Sequence, residues 1–258
     1  MIPAAFDLTG RVALVTGAGS PTGIGFATAR LLGDLGAAVA LASTTDRVHD
    51  RVAQLDGTVA SGHVADLTDA RAAARIVDEV RSRHGRLDIV VANAGMTSVS
   101  APSAEAGTVG GIDPATWRAS LARNLDTAYG VCHAAVPHLA AAGWGRVVAV
   151  VSVTGPVMAM RAEAAYATSK AGLVGLMRSI AVDYAADAVT ANAVAPGWIA
   201  TGSQTPDEAR QGTRVPVGRS ATPQEVASAI AYLCTPGAAY VTGQCLVVDG
   251  GNSIAEQR

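Results

Sequence analysis

Lysine occurs once in this 258-residue chain, at position 170, although Lys and Arg together number 19 against 21 Asp and Glu. Aromatics make up only 4%, charged residues only 16%, and no apolar run reaches the roughly 18 residues that suggest a membrane span. A net charge of −2 and the lack of any clustered arginine stripe exclude the electrostatic footprint of a nucleic-acid binder. The three cysteines, Cys132, Cys234 and Cys245, are odd in number and scattered. That fits neither a disulfide framework nor a zinc site and makes them core fillers. The five histidines show no ligand spacing, so no metal is expected. The stretch MIPAAFDLTGRVALVTGAG lacks a basic region followed by an apolar run and a cleavage site. No secretory signal is expected, and the expected location is cytoplasmic.

What is present is an apolar half, 50% of the residues, long enough to bury a substantial core. Apolar, β-branched runs predict strands over 11–16, 38–42, 58–64, 87–92, 146–151, 190–194 and 244–248. Helical patterns fall between them, over 26–35, 48–55, 70–84, 114–141, 161–186 and 223–233. Such alternation implies an α/β fold, a doubly wound sheet of seven parallel strands with helices on both faces. No internal linker interrupts it, so residues 1–258 read as one domain. A polar, turn-rich segment over 200–218 reads as a lid. The first strand leads through Gly17-Ala-Gly-Ser-Pro-Thr-Gly-Ile-Gly25 into a helix, the Rossmann-like arrangement that offers backbone N–H groups and a positive helix end to a pyrophosphate. Gly17, Ser43, Asp66, Asn93, Ser152 and Pro196 each follow a predicted strand and should line one sheet edge, where ligands of such folds bind.

The lone lysine closes the pattern Tyr166-x-x-x-Lys170. On a helix, residues four apart share a face, and a cation beside a phenol favours the phenolate. Tyr166 is thus a candidate general acid or base. With T-G followed by G-I-G, Asp66-Leu67, Asn93-Ala-Gly95, Asn124, Ser152, Pro196-Gly197 and the final V-D-G-G, the chain resembles the short-chain dehydrogenase/reductase family from Leu8 to Gly251. The resemblance implies a catalytic set of Asn124, Ser152, Tyr166 and Lys170. Tyr166 would exchange a proton with the substrate oxygen while hydride moves to or from a nicotinamide. Ser152 would hydrogen-bond that oxygen, Lys170 would depress the Tyr166 pKa and hold the nicotinamide ribose, and Asn124 would anchor a relay water. Cofactor contacts are implied at Gly17, Ser20, Thr22, Gly23 and Ile24, at Ser43, Thr44 and Arg47, and at Asp66, Leu67, Asn93, Ala94 and Gly95. Pro196, Gly197, Ile199 and Thr201 complete them, with Tyr166 and Lys170.

The chain departs from the family pattern in three places. Its glycine turn has five residues, Ala18 to Thr22, where three are usual; the Ser152 to Tyr166 spacing is one residue longer, which keeps Thr154 as an alternative hydroxyl; and the segment 96–113 exceeds the family pattern by several residues. After the second strand stand Ser43 and Thr44, with Arg47 in reach, instead of an acidic residue that would hold both ribose hydroxyls. NADP(H) is therefore the expected cofactor, with NAD(H) the alternative through Asp46. Thr154, Met158, Met160 and Trp198, with residues 95–99 and the lid, are the candidate contacts to a small-molecule ketone or secondary alcohol. A 3-oxoacyl thioester on a carrier protein is the alternative substrate, with Arg123, Arg161, Arg210 and Arg214 the only candidate docking cations. A non-catalytic nucleotide-sensing or scaffold protein is a further alternative, which need not retain the full catalytic set. The resemblance also implies a homotetramer that pairs the helices near 115–141 and 163–186 and the C-terminal strand region.

Overall fold

The computed structural model of the protein describes residues 2–95 and 105–256. Seven strands, β1 (Val12–Thr16), β2 (Ala38–Ser43), β3 (Ala60–Val64), β4 (Ile89–Ala92), β5 (Gly145–Val150), β6 (Val189–Pro196) and β7 (Cys245–Val248), form one parallel sheet in the order 3-2-1-4-5-6-7. Eight α-helices connect or follow them: α1 (Ile24–Asp34), α2 (Arg47–Val52), α3 (Ala70–His84), α4 (Pro114–Leu121), α5 (Thr127–Ala141), α6 (Ala164–Tyr184), α7 (Pro206–Gly212) and α8 (Pro223–Cys234).

Strand side chains alternate between two cores. Val12 and Leu14 pack with Ile76 of α3, Val131 of α5 and Leu173 of α6. Their neighbours Ala13 and Val15 pack with Phe26 of α1 and Ile230 of α8 on the opposite face. A strand buried on both faces must be apolar throughout, which is why VALVT carries no alternation of polar and apolar residues. Strand order reverses at β1, whose neighbours are β2 and β4. The crevice beyond their carboxyl ends is where such a sheet accepts a ligand. No helix among the described residues is long and apolar enough to cross a membrane.

The structure corrects several sequence expectations. The helix expected over 114–141 is divided by a π-helical turn, Ala122–Asp126. Pro114 does occupy its first turn, behind Asp113, whose carboxylate accepts from the N–H groups of Ala115 and Thr116. The segment expected as a lid contains α7, which begins with a capping box between Thr205 and Glu208. Seven residues are too few to show a helical period, although the Thr-Pro-x-Glu signature was present. Ser43 and Pro196 end their strands instead of following them, so the first residue beyond β2 is Thr44.

Candidate active site

Beyond β1 and β4 the backbone is held by a reciprocal clamp. Thr16 Oγ1 accepts from the backbone N–H groups of Asn93 and Ala94 at 3.0 and 2.9 Å. In return Asn93 Nδ2 donates to the carbonyls of Thr16 and Gly17 at 2.9 and 3.1 Å. Asn93 thus fixes the glycine turn to the neighbouring strand. Gly25 lies so close beneath that turn that a Cβ there would meet the Gly17 carbonyl oxygen at 2.7 Å. Helix α1 starts at Ile24, and its N-cap, Gly23, supplies no side-chain hydrogen bond. Its first-turn N–H groups therefore lack an intrahelical acceptor, which fits an anionic diphosphate. Ser20 closes the turn through its carbonyl, which accepts from Gly23 N–H at 3.3 Å. Thr22 Oγ1 accepts from Gly202 N–H at 3.0 Å, so the lengthened turn is tied to the segment expected as a lid.

The neighbouring strand ends complete this edge. Ser43 Oγ donates to the Thr45 carbonyl at 2.7 Å, and Arg47 Nε donates to Thr45 Oγ1 at 3.1 Å, while Thr44 and Asp46 are exposed. Asp66 accepts from the hydroxyl and the N–H of Thr68, which hold its carboxyl below the usual range, and Leu67 beside it is buried. Across the crevice, Gly197 N–H donates to the Val248 carbonyl at 3.0 Å, and Ile199 bridges to Ala221 ahead of Thr201. Gly95 is partly buried at the end of the described stretch; the expected contacts at 96–99 lie outside the described residues.

Three of the four expected catalytic side chains face one another or the cleft. Lys170 is 2% exposed; its Nζ donates to the Val150 carbonyl at 3.1 Å and lies 5.6 Å from the Tyr166 ring centroid. Burial lowers its pKa to about 8. Tyr166 and Ser152 line a cleft of about 530 Å³ together with Thr154, Met158, Met160 and Trp198. Asn124 sits fully buried in the π-helical turn, with Nδ2 donating to the Ser120 carbonyl at 3.1 Å and Oδ1 without a partner among the described residues. A widened helical turn that leaves a buried acceptor open marks a functional position more often than a packing one.

Two expectations concern this wall. Lys170 does not depress the Tyr166 phenol: burial pushes its pKa up against the lowering influence of the Ser152 hydroxyl, and the carboxylates of Glu163 and Glu208 raise it further. As for the choice of hydroxyl, Ser152 is the one beside the phenol, and its Oγ accepts from the Thr154 N–H at 3.1 Å. The additional residue is absorbed in a tight turn, where Gly155 N–H donates to the Met158 carbonyl and Met158 N–H to that of Val153, at 2.7 and 2.9 Å. Glu163, and Gln204 and Glu208 from the segment expected as a lid, also line the cleft, as does Asn252, which sequence reading missed.

Residues 17–253 match the family model described as enoyl-(acyl carrier protein) reductase. The chain is 41% identical over 251 residues to cis-4-hydroxycyclohexanecarboxylate dehydrogenase of Sinomonas cyclohexanicum, covering 93% of this chain and 96% of that protein. It is 34% identical over 249 residues to the 3-oxoacyl-(acyl-carrier-protein) reductase FabG of Vibrio cholerae serotype O1, covering 95% and 98%. Among solved structures, a dehydrogenase/reductase from Sinorhizobium meliloti 1021 superposes with a TM-score of 0.88 at 29% identity, covering 98% of each chain.

Proposed function

The chain belongs to the short-chain dehydrogenase/reductase family, and from that premise we propose that its cleft interconverts a ketone and a secondary alcohol with Tyr166 as the proton-transfer group. The protein is an oxidoreductase acting on CH–OH groups with a nicotinamide cofactor. The observation that carries the reading is the convergence of Tyr166, Ser152 and Lys170 beside one cleft, at the same sheet edge as the uncapped start of α1.

The cofactor, when bound, supplies or accepts the hydride. The rest falls to the protein. Ser152 Oγ orients the substrate oxygen and stabilises the charge that develops on it. Tyr166, its phenol kept protonated at neutral pH by burial and two nearby carboxylates, donates a proton to that oxygen in reduction. Lys170 provides an ammonium that can exchange a proton near neutral pH, and the open Oδ1 of Asn124 is the acceptor that would anchor a relay water. For the coenzyme we favour NADP(H). No carboxylate ends β2, and Arg47 stands four residues after Ser43. Asp46 keeps NAD(H) as the alternative. Similarity to FabG supports a second reading, 3-oxoacyl thioester reduction, but Arg123 and Arg210 are already paired with Glu105 and Asp207. That leaves Arg161 and Arg214 to dock a carrier protein and favours a small-molecule substrate. The reading further includes a homotetramer in the cytoplasm.

The test is a panel of ketones and secondary alcohols followed by nicotinamide absorbance, with both coenzymes, on wild type and Tyr166→Phe. Turnover at least about a hundredfold slower in the variant, with coenzyme still bound, is expected. Undiminished activity in the variant overturns the role of Tyr166, and a hundredfold preference for NAD(H) overturns the coenzyme choice.

A further inference from the structure

The substrate side of the cleft contains carboxylates and no cation among its described lining residues. Glu163 precedes Tyr166 by three residues and occupies the N-cap position of α6, yet its side chain caps no N–H group there. It is half-buried, lines the cleft, and has no ion-pair partner among the described residues. Glu208 lines the same cleft from α7, one carboxylate oxygen engaged by Thr205 N–H at 2.7 Å. Both carboxylates act on the reacting phenol, raising its pKa, and burial and Glu208 raise that of Glu163 itself. Two like charges facing one half-dry cavity are relieved by a bound cation. The described lining residues of the cleft supply none. Arg123 is held by Glu105 and Arg210 by Asp207, and Arg161 is exposed outside the cleft lining. Residues 96–104, Met-Thr-Ser-Val-Ser-Ala-Pro-Ser-Ala, contain no ionisable side chain in their sequence. Met158 and Trp198 offer the remaining wall apolar surface.

We propose that Glu163 selects the substrate by its charge, binding the ammonium of an amino ketone or amino alcohol whose oxygen lies between Ser152 and Tyr166. The inference rests on the oxidoreductase reading and deepens it. Side chains three apart on a helix stand about 5–6 Å apart at their Cβ atoms, so the nitrogen lies a few carbon atoms from the reacting carbon. A carboxylate at that place in the substrate is repelled.

Binding and turnover separate the two claims. Protein saturated with reduced coenzyme, whose nicotinamide ring is neutral, is titrated calorimetrically at low salt with cyclohexylamine and with cyclohexanecarboxylate. The amine is expected to bind at least about tenfold more tightly, and Glu163→Gln to lower that ratio about tenfold. Glu208→Gln, which preserves the capping box, should lower it less. Equal affinities, a preference for the acid, a ratio unchanged in Glu163→Gln, or a larger effect of Glu208→Gln each overturn the assignment. Turnover of trans-4-aminocyclohexanol, cyclohexanol and 4-hydroxycyclohexanecarboxylate is then compared. Oxidation of all three without regard to charge, together with equal binding, removes the inference and leaves the oxidoreductase. Charge-selective binding without any turnover removes the oxidoreductase reading and leaves the charge selection.

Discussion

Among the described residues, Lys170 is the largest fully enclosed side chain, and its ammonium meets a single backbone carbonyl, that of Val150. Burying a charge with so little compensation costs stability, and the direction of its pKa shift states the cost. Its pKa falls from 10.5 to about 8 in the fold. At 1.36 kcal/mol per unit that difference is worth roughly 3 kcal/mol. Because the folded value is the lower one, this stability is present above the unfolded pKa and is lost as pH falls through about 8. At neutral pH the protein therefore bears the full penalty. Replacing the ammonium by an apolar group of similar length should relieve it. Lys170→Met, free of coenzyme, is expected to be more stable than wild type by about 1–3 kcal/mol at pH 7, and inactive. Urea unfolding at pH 7 and pH 9.5 should show the gap narrowing at the higher pH. A variant less stable than wild type at pH 7 would contradict this. A residue retained at such a cost, in a chain that otherwise uses arginine, is retained for function.

The element that presents Lys170 and Tyr166 is α6, and its approach is set by the turn before it. Gly155 has a φ of +107°, and a Cβ there would run into the carbonyl oxygen of Ala167, between Tyr166 and Lys170 in sequence. Gly155→Ala combines an unfavourable backbone conformation with a clash against a helix that cannot yield locally. The expected loss is about 2–4 kcal/mol, seen as a lower Tm, with kcat falling more than KM rises because Tyr166 is displaced. Wild-type stability and kcat would show that the turn does not set the helix. This requirement also explains which parts of the site could be read in advance. Strands flanked by helices, the glycine turn and Tyr166-x-x-x-Lys170 are local patterns with fixed periods, and the seven strands and the cleft-lining Thr154, Met158, Met160 and Trp198 were legible from them. The π-helical turn at Asn124 was not, since it adds one residue per turn without any distinctive composition. Nor was α7, whose seven residues make only about two turns. The direction of the Tyr166 shift was misjudged for a related reason: helical spacing reports which groups are neighbours, whereas burial, which sequence does not give, decides the sign.

On the scale of the whole molecule, the surface retains apolar groups where a family tetramer would cover them. β7 ends the sheet, bonded only to β6, and exposes Leu246 and Val247 at 40% and 37%. Val182 on α6 is 82% exposed, and Tyr129 on α5, stacked on His133 at 5.6 Å, is 52% exposed. An uncovered edge strand and neighbouring apolar side chains are a standing invitation to association. They lie on the same elements that the family resemblance pairs. The particle in solution is expected to have about four times the 25.8 kDa chain mass. Leu246→Arg combined with Val182→Glu should reduce it to smaller species in sedimentation at micromolar concentration, because each charge would have to be desolvated within a contact. The effect should reach the active site, since β7 leads directly into Asp249, whose carboxylate accepts from the N–H groups of Gly251 and Ser253 at 2.9 and 2.7 Å. These bonds hold the loop that brings Asn252 to the cleft. Dissociation is therefore expected to raise KM for the substrate while coenzyme affinity stays within about threefold. A wild-type protein that sediments as a monomer, or a dissociated variant with unchanged KM, would separate assembly from the working of the cleft.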